Sequence, residues 1–353
     1  MKIVFVNKWG MLTKVKKISL VFIVFGVITL LFIGIDLYRI IFQKNVNHSG
    51  LIHIPTGSSF DQVLDTLNQG GYLRDTTSFK WLATQKKYNL RILAGAYFID
   101  KDWNNNQLVN HLRSGVQLPV KVTFNNIRFR EELAARLSTY LEPDSCTFIK
   151  EFNNERLADS LGFTCESFPA MVIPNTYEFY WNTTPLEFLE RMKLEYLRFW
   201  NPSRTEKAHN LGLSPLEVVT IASIVQEESN KRDEKPRIAG VYLNRLKKGW
   251  LLQADPTVKY AMGSFQIKRI LTKHLAFDSP YNTYKYSGLP PGPINFAEIS
   301  SIEAVLNAEK HTYFYFCAKE DFSGYHNFAN SLAEHNRNAA KYQNILNRNK
   351  IWR

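Results

Sequence analysis

The sequence predicts an α+β protein carried behind a single N-terminal transmembrane helix. Three observations predict it: an uncharged apolar run near the start, short β-like runs alternating with amphipathic helices, and a long helical region opening into motif-dense loops. The boundaries that follow are 1–17 for a cytoplasmic N-terminus, 18–38 for the span, 39–50 for a polar linker, 51–125 for a small module and 126–353 for a second, larger domain. A length of 353 residues fits this division, since one domain takes about 150 residues.

The span is the firmest element. From Ile18 to Ile35 the chain is uncharged and almost wholly aliphatic or aromatic, and Leu37 extends the run. That length meets the lower limit for crossing ~30 Å of hydrocarbon. Lys2, Lys8, Lys14, Lys16 and Lys17 precede it, whereas only Arg39 and Lys44 follow closely. The imbalance predicts an N-terminus in the cytoplasm and everything else on the far side of the cell (inner) membrane. A cleaved signal peptide needs a small-x-small exit, but Asp36-Leu37-Tyr38-Arg39 stands there. A buried core helix is rarely apolar all round for so long.

In the module, Leu51–Gly57 reads as a strand and turn, and Ser58 or Ser59 caps a helix carrying Phe60, Val63, Leu64 and Leu67. A helix near 77–86, a strand over 94–99 and a helix over 105–112 ended by Ser114-Gly115 follow. Val120–Phe124 is predicted to close the module as a strand. Helices then fill 129–200, with an aromatic-rich turn over 171–180 between them.

Composition bounds the partners. A formal charge of +12 suits an anionic surface or polymer. The basic residues are scattered, without a nucleic-acid-binding signature, so no nucleic-acid partner is predicted. Cys146, Cys165 and Cys317 are an odd, widely spaced set. They read as buried free thiols, with a Cys146–Cys165 pair open in an oxidising compartment. No metal or cofactor site is predicted.

Ser214-Pro215-Leu216-Glu217 opens a helix with an N-cap, a proline at the first position and capping-box spacing. Val218, Ile221, Ala222 and Val225 fall on one side of it. Glu228 sits beside Ile221 and Ile224, while Glu227 points away. A carboxyl against apolar neighbours resists ionisation and can donate a proton near neutral pH, as a glycosidase acid must. A helix-end glutamate reaching solvent is the plainer alternative. A second helix over 234–248 buries Ile238, Val241, Tyr242 and Leu246. The loops beyond hold Gln253, Asp255 and Thr257, then Tyr281, Asn282 and Tyr284, then the rigid turn around Pro290. Aromatic rings beside amides and hydroxyls suit a sugar. His326 and Asn327, with His335 behind, complete the candidates. Ser223 reads as a packing residue, because no base stands at a useful spacing.

Five motifs together resemble the endolytic murein transglycosylases, the MltG/YceG-like family. They are Ala222-Ser223-Ile224-Val225-x-x-Glu228, Val241-Tyr242-x-Asn244-Arg245-Leu246, Leu252-Gln253-x-Asp255-Pro256-Thr257-Val258, Tyr281-Asn282-Thr283-Tyr284 and Gly288-Leu289-Pro290-Pro291-Gly292-Pro293-Ile294. The resemblance implies a LysM-like module over 51–125 and a lysozyme-like mixed α/β catalytic domain. It also implies Glu228 as the lone acid/base of a lytic transglycosylase acting on peptidoglycan strands, with peptidoglycan synthases as candidate partners. Relatives often carry an acid where Gln226 stands, and the turn before Tyr177 reads Asn175 where they carry Asp. Two rivals remain at this level: a hydrolytic muramidase using a buried Asp255 facing Glu228, and a non-catalytic peptidoglycan-binding scaffold.

Overall fold

A computed structural model of the protein describes residues 8–267 and 270–348. Lys2 of the basic flank and the last five residues of the expected catalytic domain lie outside them. The chain forms two compact units, residues 1–119 with 180–182, and residues 120–179 with 183–353.

The first unit begins with helix α1 (Lys8–Phe42). Its stretch Lys17–Phe42 is long and apolar enough to cross a membrane, and none of it is buried within the protein. The helix thus runs four residues past the expected end of the span, with Arg39 in its last turn. The residues after it are not a loose linker. Lys44 and Val46 bridge to Asn104 and Leu73. Val46 is fully buried, and Asn45 donates from Nδ2 to the Asp75 carbonyl (2.8 Å) and to Asn105 Oδ1 (2.7 Å). Polar character misleads here, because Asn45 satisfies backbone groups of the module rather than water.

Strand β1 (Gly50–Ile54) pairs antiparallel with β2 (Gly95–Ile99), Ile52 opposite Tyr97. Helices α2 (Phe60–Gln69), α3 (Thr76–Gln85) and α4 (Asn105–Ser114) cover the hairpin's core, which centres on Val63, Leu67, Phe79, Tyr88 and Leu108. Ser59 with Gln62, and Asn104 with Gln107, form capping boxes that start α2 and α4. Gly115 ends α4 at φ 69°, a conformation that favours glycine.

The second unit begins earlier than the sequence suggests. β3 (Val120–Phe124) does not close the module. It pairs antiparallel with β4 (Asn175–Phe179), Val122 opposite Tyr177, so the aromatic-rich turn is half strand. A strand's partner more than fifty residues away leaves no local trace. Helices α5 (Arg130–Ser138), α6 (Ser145–Phe152), α7 (Glu155–Ser160) and α8 (Phe168–Met171) lie between the strands, and α9 (Pro185–Phe199) and α10 (Pro202–Asn210) follow. Phe124, Phe148, Phe152, Phe168 and Phe188 form a ring cluster with centroid spacings of 5.2–6.2 Å. Such offset and edge-on pairs add to plain area burial. All three cysteines are free, and Cys146 is exposed rather than buried. It lies off the buried α6 stripe of Phe148 and Phe152.

Helix α11 (Pro215–Glu228) runs through this unit's core. Every residue from Val218 to Val225 is buried, so the predicted one-sided stripe becomes a fully enclosed helix. Its polar members are matched to neighbours. Ser223 donates to the Thr220 carbonyl (2.7 Å) and accepts from the Ile294 amide (3.0 Å), which bolts the proline-rich turn onto α11. Helix α12 (Lys235–Lys247) follows and buries Arg245 where Leu246 was expected. The supposed loops contain α13 (Asp255–Ala261), with Pro256 at its first turn, and α14 (Thr272–Leu275). Helix α15 (Ile299–Leu306), the hairpin of β5 (Tyr315–Ala318) and β6 (His326–Ala329), and α16 (Leu332–Arg348) complete the unit.

Candidate active site

The capping box of Ser214 and Glu217 fixes where α11 begins, and Ser229 ends it in extended backbone at φ −146°. Glu228 is therefore the helix's last residue. The Ser229 hydroxyl donates to Glu234 Oε2 (3.2 Å) and accepts from the Lys231 amide (3.1 Å), which holds the helix end still.

Glu228 is half-buried at the edge of a cavity of about 330 Å³. The hydroxyl of Tyr242, one helix away and nearly inaccessible, donates to Glu228 Oε1 at 2.6 Å. Burial pushes the Glu228 carboxyl up to about 7. The Tyr242 hydrogen bond pulls it down, the nearby Asp255 charge pushes it up, and Lys259 and Arg245 pull it down. Desolvation dominates, so near neutrality the group is divided between acid and base.

Of the other predicted residues, Gln253, Asp255 and Tyr284 share this cavity. Gln253 holds φ +50°, uncommon outside glycine, and its amide donates to the Thr283 carbonyl (3.1 Å). Asp255 is exposed, begins α13 and accepts the Tyr284 hydroxyl at 2.5 Å. The muramidase rival required a buried Asp255, and this one is solvated.

The remaining candidates lie off the cavity lining. Thr257 is fully buried, donates to the Ala254 carbonyl (2.7 Å) and meets Thr283 Oγ1 at 2.9 Å. It latches the Gln253–Asp255 segment instead of facing a ligand. Asn282 donates to the Leu275 and Phe277 carbonyls and so braces its loop. Tyr281 packs on Tyr260, ring centroids 4.8 Å apart. Pro290 is buried in a turn whose Gly292 packs so tightly on the Glu166 carbonyl that a Cβ would come within 2.2 Å of it. His326 Nδ1 lies 2.8 Å from Glu234 Oε2, and Asn327 donates to Glu320 (2.9 Å). These side chains are consumed by the frame that carries the cavity.

Sequence reasoning missed Tyr242, Arg245, Tyr315, Phe316 and Leu332, which also line it. The sequence reads Tyr242 as part of a packing stripe, although its place beside Asn244-Arg245 is the available signal. Arg245 reaches the Phe314 carbonyl (2.7 Å) and the Leu252 carbonyl (2.6 Å), tying β5 and the Gln253 loop to α12. Tyr315 and Phe316 arrive some ninety residues after Glu228, and no local pattern foretells that meeting. His335, a secondary candidate, stacks on Tyr315 at 5.4 Å with Nδ1 buried and unpaired, and burial lowers its pKa.

A polar cleft walled by rings, with one carboxyl held near neutrality, is the kind of site that acid–base enzymes use. The chain belongs to the YceG-like family, whose model matches residues 52–341. It is 30% identical over 318 residues to the endolytic murein transglycosylase of Bacillus subtilis (strain 168), covering 85% of this chain and 86% of that one. A protein of the same name from Streptococcus pneumoniae serotype 2 (strain D39) is 28% identical over 325 residues. That match covers 83% of this chain but only 58% of the longer relative. Among solved structures, a yceG-like protein of Listeria monocytogenes aligns with a TM-score of 0.54 at 26% identity, covering 82% of this chain and 99% of the other.

Proposed function

We propose that this chain is a membrane-anchored endolytic murein transglycosylase. It cuts the β-1,4 bond between N-acetylmuramic acid and N-acetylglucosamine within peptidoglycan strands. The observation that carries this reading is Glu228: a carboxyl pushed up to about 7 by burial, bonded to Tyr242 and open to a polar cavity. The family membership and the names of the relatives agree with it.

Protonated Glu228 donates to the glycosidic oxygen as the bond to the muramoyl C1 breaks. The muramoyl C6 hydroxyl then attacks C1, and the Glu228 carboxylate takes its proton. The products are a 1,6-anhydromuramoyl end and a free N-acetylglucosamine hydroxyl. No water is consumed, and Glu228 ends as it began. Because the substrate supplies its own nucleophile, no second carboxylate is needed, whereas ordinary glycosidases use two. Gln253, Asp255, Tyr284 and His335, which line the same cavity, contact the sugar in this reading. The apolar stretch Lys17–Phe42 anchors the chain, with its N-terminus in the cytoplasm and Glu228 outside. The first unit serves as a LysM-like positioning module and the second as a lysozyme-like catalytic one. Cutting near the membrane suits termination of strands as the synthases make them.

A hydrolytic reading, disfavoured by the exposure of Asp255, is the one to test against, because Asp255 lines the same cavity and raises the Glu228 pKa. In it, Asp255 partners Glu228 in simple hydrolysis. Digestion of purified glycan strands, with products read by mass spectrometry, separates the two. Wild type should yield 1,6-anhydromuramoyl ends, and Glu228→Gln should lose about 10²–10⁴-fold in rate. Reducing ends without anhydro ends would transfer the assignment to hydrolysis.

A further inference from the structure

The first unit holds a cavity of about 200 Å³ that has no part in the chemistry above. Arg39, Lys44 and Arg74 line it, together with the buried polar groups of Asn45, Ser78 and Asn105. Asp75 is the acid on its wall, and its carboxylate already accepts from the Thr77 amide (2.9 Å). Asp102 stands nearby, 3.4 Å from Lys44 and 3.7 Å from Arg74. Among the described residues Arg39 makes no ion pair. Three cations against two carboxylates leave one positive charge.

The position of this cluster is fixed. Asn105 Nδ2 donates to the Ile40 carbonyl (2.8 Å), satisfying a backbone acceptor of the last turn of α1 and holding the helix to the module. The uncharged run ends at Ile35, and at 1.5 Å per residue Arg39 stands ~6 Å beyond it. In a bilayer with ~30 Å of hydrocarbon, that is the depth of the headgroups. A phosphodiester carries one negative charge, offers oxygens to guanidinium and ammonium donors, and lies at this depth.

We propose that this cavity binds the phosphodiester of an anionic membrane lipid and so sets the module's height above the bilayer. The inference rests on the anchor reading given above. Bidentate contact from Arg39 or Arg74 and a point contact from Lys44 are the interactions expected.

The test is native mass spectrometry of the full-length chain in detergent, titrated with phosphatidylglycerol or with diacylglycerol, which lacks the phosphate. Wild type should retain phosphatidylglycerol selectively. Arg39→Gln, a change on the exposed helix surface, should weaken retention about fivefold, and the triple variant with Lys44→Gln and Arg74→Gln by tenfold or more. Equal retention of both lipids, or undiminished retention by the triple variant, overturns the proposal. Complete displacement by inorganic phosphate overturns it too, since the site would then serve a free anion. A carbonate wash distinguishes the other failure. Release of the chain from membranes by that wash overturns the anchor reading and this inference with it, whereas a retained chain without headgroup selectivity sinks this inference alone.

Discussion

Two sides of the last turn of α11 hold neighbouring glutamates under opposite conditions. On one side Glu227 accepts from Arg128 through both carboxylate oxygens, at 3.0 and 3.1 Å, and from Asn295 Nδ2 at 3.0 Å. Its negative charge is matched. On the other side Glu228 meets a tyrosine hydroxyl, a cavity and the like charge of Asp255, and its carboxylate form is disfavoured. Identical chemistry, one residue apart, thus becomes an ion-pair strut in one case and a carboxyl that resists ionisation in the other. The helix supplies the separation, since successive residues point about 100° apart.

The largest expected effect is the activity contrast between the two. Glu228→Gln should lose about 10²–10⁴-fold, while Glu227→Gln, corrected for folded fraction, should stay within about tenfold of wild type. Equal losses in well-folded protein would erase the distinction. The cost of Glu227→Gln should fall on stability instead. Arg128 would lose its counter-charge, and since it is one-third exposed the penalty should be about 1–2 kcal/mol in urea unfolding.

A stability measurement sharpens the contrast from the other direction. The folded-state pKa of Glu228 lies above the ordinary value of 4.5, so the fold favours its protonated form. That stabilisation is complete below about 4.5 and is lost as pH rises through about 7. Glu228→Gln cannot ionise. Its stability relative to wild type should therefore grow between pH 4 and 8, on the order of 2 kcal/mol, followed as Tm against pH. A flat difference would mean the carboxyl titrates normally.

The smallest effect expected is that of Tyr242→Phe. The lost hydroxyl bond favours the carboxylate, so the Glu228 pKa should rise by up to about one unit. The alkaline limb of kcat/KM should move to higher pH accordingly. A shift to lower pH would mean the tyrosine bonds the protonated form.

Much of this was legible beforehand, for reasons that differ between the units. The caps at Ser59 and Ser214 and the apolar run of α1 are local signals, and helices obey local signals. The position of Glu228 at the end of its helix was legible because the helix start and phase were. What failed was pairing at a distance. β3 and β4, the packing of α15 on α11 and the arrival of Tyr315 and Phe316 all join segments separated by fifty residues or more. The same limit explains why motif residues such as Thr257 and Asn282 looked like sugar contacts. Their spacing was visible, but not the carbonyls they serve.

The β3–β4 ladder has a practical consequence for dividing the chain. A cut at residue 125, where the sequence suggests a border, would leave Val120–Phe124 on the wrong piece. The downstream fragment would carry Asn175–Phe179 as a bare edge, with Tyr177 and Phe179 uncovered beside unpaired amides, a template for aggregation. The upstream fragment would also lack Tyr180–Asn182, where Trp181 packs against His53 at 4.6 Å. Moving the cut to precede Val120 restores the strand pair and returns only those three residues to be accounted for. For this protein the second compact unit begins at a hydrogen-bonded strand, not at a change of composition.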